Sequence, residues 1–361
     1  LIVLVQGVFA EEPCTLIKMW DVNDGRSDTT ANGVAVDASD NVYVTDTASS
    51  RVRHYSTDGS ILSYWDIRDT ENGLFGHPWG VAVDSSHNVY ITDRENHTVQ
   101  KLTWRGSSVW GSEGTGTGQF SHPTGISVDR SGNVYVADTD NNRIQVFHST
   151  GTYLVQWGSY GTVNGQFIAP TDIAVDSTGT MYVADSGNHR IQKISPAGTF
   201  LATWGSEGTG DGQFYSPAGI ALDPGGNVYV ADDSGRIQKF SPAGEYLSAC
   251  ETGGRIHDIA IDSSGYIYAL SYDAPSWKIA IYGTPVSIPT PTTAPPPKTR
   301  RPMIVTPAVP ATSQDRAVQT TIPVTPATGI TTAPTATPAT IVSQAMALNN
   351  YNTTIAAPKG R

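Results

Sequence analysis

Cysteine is almost missing from this chain: 361 residues contain two, Cys14 and Cys250. A RING, which needs eight Cys/His zinc ligands, has nothing to draw on, and there is no CxxC pair. Positive charge is scarce as well, with 22 Lys/Arg against 33 Asp/Glu and a net charge of −11. An acidic chain repels phosphate backbones, so a nucleic-acid partner is not expected. No apolar run reaches the ~18 residues that a membrane span requires. There is no Gly-rich phosphate loop, no Ser/His/Asp set in motif context, and no convincing helical period between residues 31 and 282.

In place of these there is a repeat. Asp37, Asp84, Asp129, Asp176, Asp223 and Asp262 each precede a Tyr by six residues: Tyr43, Tyr90, Tyr135, Tyr182, Tyr229 and Tyr268. A second Asp follows three residues later in five copies (Asp46, Asp93, Asp138, Asp185, Asp232), with Ser271 in the sixth. The first Asp residues are spaced by 47, 45, 47, 47 and 39. A fixed period of this size marks units that cannot bury their apolar faces alone and must stack. In copy three, Gly125–Asp129, Val134–Asp138, Arg143–Phe147 and Tyr153–Trp157 are short β-rich runs bounded by turn residues. Four strands per copy and six copies predict an all-β fold, a six-bladed β-propeller of four-stranded blades.

The sixth copy lacks a fourth strand, and the N-terminus supplies one. Trp20 heads a series continued by Trp65, Trp110, Trp157 and Trp204, and Cys250 stands 46 residues after the last. Residues 15–20 are therefore expected to complete blade six and close the ring, which removes an open edge. In the same register Cys14 starts one outer strand and Cys250 ends the neighbouring one. Those ends are read as lying on opposite faces, ~20 Å apart. A disulfide needs Cα atoms within ~7 Å, so no bridge is expected. No lipobox precedes Cys14.

Segments such as 118–147 (GQFSHPTGISVDRSGNVYVADTDNNRIQVF) and 212–240 (GQFYSPAGIALDPGGNVYVADDSGRIQKF) resemble NHL repeats, and the resemblance covers residues 11–285. It implies a propeller but not one activity, since such repeats occur in ubiquitin ligases, RNA-binding proteins, sensors, an amidating lyase and many surface proteins. The lyase pattern is a direct check. Its zinc-binding His residues stand five before the first Asp, in Pro-His-Gly. Here those positions hold Asn32, Trp79, Thr124, Thr171, Ala218 and His257. Its catalytic Tyr follows the second Asp by three, where this chain has Ser49, Asn96, Asn141, Asn188 and Gly235.

Four residues before the first Asp the copies carry Gly33, Gly80, Gly125, Asp172, Gly219 and Asp258. Two Asp in place of Gly, beside His257, make the sharpest departure from the repeat. Trp79, Thr124, Thr171, Asp172, His257 and Asp258 are the candidate channel-mouth site. The last three offer oxygen and nitrogen donors for calcium or zinc, or an acid–base pair. The simpler role for each Asp is to bond backbone amides at a strand start. His77 and His122, each before a Pro, are read as loop-packing residues, and no catalytic residue is assigned.

The ends of the chain differ in composition. Residues 1–10 (LIVLVQGVFA) resemble the end of a signal peptide, a small-x-small site before Glu11. Residues 286–361 are rich in Pro, Thr and Ala and are expected to be a disordered, low-complexity stalk or linker suited to O-linked sugars. Asn96-His-Thr98 and Asn352-Thr-Thr354 fit the N-glycosylation pattern. Residues 11–285 carry 16 Lys/Arg and 32 Asp/Glu, net −16, whereas the tail is net +5. The expectation is a monomeric, secreted or cell-surface propeller that binds protein or glycan at one face without a cofactor. The competing reading is a metal-dependent lyase or lactonase-type hydrolase at the central channel.

Overall fold

The computed structural model describes residues 14–22, 29–65 and 76–283. The expected leader 1–10 and tail 286–361 lie outside these. Strand β1 (Thr15–Asp21) precedes the repeats. Blade 1 holds β2 (Ala31–Val36), β3 (Val42–Asp46), β4 (Arg51–Tyr55) and β5 (Ile61–Trp65). Blade 2 holds β6 (Pro78–Val83), β7 (Val89–Asp93), β8 (Thr98–Thr103) and β9 (Gly106–Trp110). Blade 3 holds β10 (Ile126–Val128), β11 (Val134–Asp138), β12 (Arg143–Phe147) and β13 (Tyr153–Trp157). Blade 4 holds β14 (Pro170–Val175), β15 (Met181–Asp185), β16 (Arg190–Ile194) and β17 (Phe200–Trp204). Blade 5 holds β18 (Pro217–Leu222), β19 (Val228–Asp232), β20 (Arg236–Phe240) and β21 (Tyr246–Glu251). Blade 6 takes β22 (Arg255–Ile261), β23 (Ile267–Asp273) and β24 (Ser276–Gly283), with β1 as its fourth strand.

The result is six four-stranded antiparallel sheets, the propeller that the repeat implies. β1 pairs with β24 from Thr15↔Gly283 to Asp21↔Lys278, so the N-terminal strand closes the ring. The second strands β3, β7, β11, β15 and β19 are buried at every residue, because blades pack on both of their faces. This is why they open on apolar runs without alternation, Val-Tyr-Val in β3, β11 and β19, Val-Tyr-Ile in β7 and Met-Tyr-Val in β15. Apolar clusters bridge neighbours: Ala82 and Tyr90 of blade 2 pack with Phe120, Val134, Val136 and Phe147. The Asp–Tyr spacing has a local cause. Asp129 accepts the amides of Ser131 and Asn133 across the turn, and the Tyr135 hydroxyl at 3.2 Å caps the same carboxylate. Tyr43, Tyr90, Tyr229 and Tyr268 do the same to Asp37, Asp84, Asp223 and Asp262.

One expectation is overturned. Cys14 and Cys250 form a disulfide, with Cα atoms 5.3 Å apart and a sequence separation of 236. The sequence reading treated adjacent outer strands as aligned and missed how the turn before one reaches the end of the preceding one. The other junctions show the arrangement. Gly59, six residues before Trp65, lies against the Trp20 ring of the preceding blade, where an added Cβ would come within 2.8 Å of it. Gly151 meets Trp110, and Gly244 meets Trp204, in the same way. Cys14 occupies this Gly place, six residues before Trp20, and Cys250 occupies the Trp place. The blade 5/6 junction thus replaces a Gly–Trp contact with a covalent bond.

Candidate functional site

The second Asp of the first five repeats organises the face to which the first strands open. Asp138 is fully buried and accepts the Ser121 amide (2.7 Å), Asn141 Nδ2 (3.0 Å), Arg143 Nε (2.7 Å) and Gln145 Nε2 (3.0 Å). Arg143 then donates to the carbonyls of Thr115, Gly116 and Gln119, each at 2.8 Å. The set therefore grips the loop arriving from the preceding blade, as well as the hairpin that the sequence suggested. Asp185, Arg190 and Gln192 repeat this around residues 163–168, and Arg236 and Gln238 do so around 209–213. Buried Phe120, Phe167 and Phe214 anchor the three loops. In copy one the partner of Asp46 is Arg53, at 2.6 Å, and not the Arg51 that the five-residue spacing indicates.

The channel mouth opens on the same face. A cavity of about 250 Å³ is lined by Asn32, Trp79, Thr171, Asp172, His257 and Asp258, with Val, Ala and Ile side chains deeper in. Thr124 is not in this lining. It is buried and bonds the Thr139 hydroxyl (2.6 Å) and the Thr171 carbonyl (2.7 Å). Thr171 makes the same pair of bonds, to the Ser186 hydroxyl (2.7 Å) and the Pro217 carbonyl (2.9 Å), but stays at the cavity wall. Trp79 is half-buried, with the Arg94 guanidinium 4.7 Å from its ring centre.

The two channel Asp residues tie blades together. Asp172 Oδ2 accepts the Ile220 amide of blade 5 at 2.9 Å. Asp258 accepts the Val34 amide of blade 1 and the Ile259 amide, both at 2.8 Å. In blades 1 and 2 a Thr on the second strand makes the corresponding link: Thr45 accepts Gly33 N and donates to Trp79 O. Thr92 serves Gly80 and Thr124 likewise. Blades 3 to 6 have Ala137, Ala184, Ala231 and Leu270 there, and in blades 4 and 6 the channel Asp makes the link. Gly219 makes room, since a Cβ on it would stand 2.8 Å from Asp258 Oδ1.

Burial raises the Asp172 carboxyl to about 7. Burial, then the proximity of Asp172, raises Asp258 well above the usual carboxylate range. Both side chains remain partly open to the channel. Burial, then the charge of Arg255, lowers His257 to about 4, so its ring is neutral at pH 7. That ring packs edge-on against Trp277, 4.5 Å between centres. Among the described residues no group of three or more His, Cys, Asp or Glu is arranged to hold a metal ion. His77 pairs with Glu95 (3.3 Å) and His122 with Asp140 (2.7 Å) in the surface loops. Asn96, within one sequon, donates its side-chain amide to Asp93 at 2.9 Å.

Sequence reasoning overlooked three exposed apolar side chains on this face or its rim: Tyr160 (71 % exposed), Val163 (62 %) and Tyr215 (52 %). Their signal was departure from the repeat. Tyr160 stands where other loops have Glu113 and Glu207, and Val163 where they have Gly116 and Gly210.

The NHL repeat family model matches residues 29–55, 75–102, 120–147, 167–194 and 214–240. A search of curated proteins finds no match. Similar solved structures include a virginiamycin B lyase from Staphylococcus aureus (17% identity, 75% of this chain and 89% of that one, TM-score 0.53). A gluconolactonase from Xanthomonas campestris aligns at 15% identity over 75% of this chain and 95% of its own, TM-score 0.56. A Bacteroides thetaiotaomicron protein of unknown function aligns at 18% identity over 75% and 76%, TM-score 0.57. At such identities the likeness is one of fold.

Proposed function

We propose that this chain, which carries five NHL repeats within a closed six-bladed propeller, is a non-catalytic binding module displayed outside the cell. Its partner is a protein or glycan, held at the face that carries the channel mouth. The observation that carries this reading is the anchoring of that face. Buried Arg143 and Arg236 and half-buried Arg190 fix the backbone of three successive loops, and Tyr160, Val163 and Tyr215 stand out from them. A face ordered before contact loses little entropy on binding, and exposed aromatics beside polar backbone suit a protein or sugar surface. The Cys14–Cys250 disulfide supports export, because such bonds persist in oxidising compartments. The leader-like and stalk-like compositions of the two ends agree with it.

The hydrolase or lyase reading draws on the raised Asp172 carboxyl at the wall of a cavity. Against it, both channel Asp residues are engaged by backbone amides, and His257 packs on Trp277. Metal analysis of the purified protein, together with lactone and lyase substrate panels on wild type, Asp172→Ala and His257→Ala, separates the two readings. Bound zinc or calcium, with turnover that either substitution abolishes, refutes the binding module. Substitutions that change stability alone refute the enzyme.

A further inference from the structure

The Tyr of each second strand faces one residue of the third strand, and that residue controls the cleft to the next blade. In blades 2, 4 and 5 it is Lys101, Lys193 and Lys239, paired across the ladder with Tyr90, Tyr182 and Tyr229. Each ammonium lies over its Tyr ring, at 5.1, 5.1 and 5.5 Å from the centre. Lys101 reaches on to the Ser149 carbonyl (3.0 Å), and Lys193 to the Pro242 carbonyl (2.8 Å), each in the outer turn of the following blade. In blade 1 His54 stacks on Tyr43 instead, 4.4 Å between ring centres. Blade 6 places Ile281 opposite Tyr268, where it packs into the core shared with blade 1, and blade 3 places Val146 opposite Tyr135. Valine is too short to cross the cleft, and a cavity of about 300 Å³ lies there, walled by Tyr135, Val146, Trp157 and Pro196, with the charged pair Asp129 and Arg130 at its edge.

We propose that this blade 3/4 cleft receives a lysine side chain from a protein partner, which takes the place that the chain's own lysines fill at the 2/3 and 4/5 junctions. The template is internal. The butyl stem would run along Val146, Leu154 and Trp157, and the ammonium would meet the π face or edge of Tyr135 and the Pro196 carbonyl. Pro196 is the positional counterpart of Ser149 and Pro242 in the outer turn. A desolvated ammonium over an aromatic ring is a favourable contact, and the net charge of −16 over residues 11–285 attracts a basic partner. The site is formed by first- and third-strand turns at the opposite end of the strands from the channel mouth, so it stands independently of the binding face proposed above.

The test is saturation-transfer and titration NMR on the full chain with a short lysine peptide, its Nε-acetylated form and n-butylamine. Wild type should bind the lysine peptide at one site and the acetylated form at least tenfold more weakly. Val146→Lys should fill the cleft from within and lose peptide binding, with its melting curve retained. Lys101→Val should open the equivalent cleft and raise the stoichiometry from one to two, an arm that decides even if Val146→Lys fails to fold. Equal binding of the acetylated peptide, unchanged binding by Val146→Lys, or unchanged stoichiometry in Lys101→Val overturns the proposal. Butylamine binding as tight as the peptide overturns the protein partner, because nothing beyond the amine would then be recognised.

Discussion

At the scale of single residues the polar groups of this propeller are chiefly structural, and the consequences are measurable. Arg143 and Asp138 have side chains only 8 % and 0 % exposed. Removing the guanidinium leaves a buried carboxylate without its opposite charge, so Arg143→Ala should cost about 3–5 kcal/mol in urea unfolding. Lysine cannot reproduce the fork that reaches three carbonyls, so Arg143→Lys should recover little of it. Arg255→Ala removes an exposed pair with Asp233 and should cost under about 1 kcal/mol. Equal losses at the two sites would contradict the assignment of the second-Asp network as the frame of the face. The channel gives a pH prediction. The folded Asp172 carboxyl titrates above its unfolded value, so the native state holds the extra proton and stability falls as pH rises from about 4 to about 7. Asn keeps an oxygen for the Ile220 amide and cannot ionise. The stability of Asp172→Asn relative to wild type should therefore grow from pH 4 to pH 8, and a constant difference would refute the elevated carboxyl. The Asp172 and Asp258 substitutions were visible in the sequence as breaks in a Gly column. Their partners were not, because the bonds to Ile220 and Val34 join residues 48 and 224 apart.

At the scale of elements, β1 and the disulfide are two closures of one ring. Deleting residues 11–22 should leave β24 as an open edge and produce aggregation or a large drop in melting temperature. A deletion variant that melts cooperatively at the parent temperature would refute the closure. Cys14→Ser with Cys250→Ser should cost about 2–5 kcal/mol, since the bridge restrains a very long loop in the unfolded chain. Cys14→Gly with Cys250→Trp should do better than the serine pair, because it restores the contact that Gly59 and Trp20 make at another junction. The same melts by differential scanning calorimetry check both, and equal loss in the two variants would refute that equivalence. Strand boundaries were largely legible: β11, β12 and β13 fall where turn residues and Val-Tyr-Val runs placed them. The disulfide was not, because periodicity along a chain carries no information about how neighbouring sheets are turned against each other.

At the scale of the whole molecule, one repeat gives a regular frame and its few exceptions supply individuality. The fold was legible because the Asp–Tyr pair, the buried second strand and the terminal Trp recur at fixed spacing. The face proposed for binding was only partly legible. The sequence pointed to the channel mouth through Trp79, Thr171, Asp172, His257 and Asp258, which do line one cavity. It also named Thr124, which turns into the blade junction, and passed over Tyr160, Val163 and Tyr215, whose exposure depends on how their loops are held. The central claim is that this anchored face recognises a macromolecule. The most direct measurement is binding of the purified propeller to arrays of glycans and extracellular proteins, with Tyr160→Ser/Tyr215→Ser as the comparison. A specific partner is expected, with a signal that falls at least tenfold in the double variant while the melting curve is unchanged. A partner bound equally well by the double variant would contradict it.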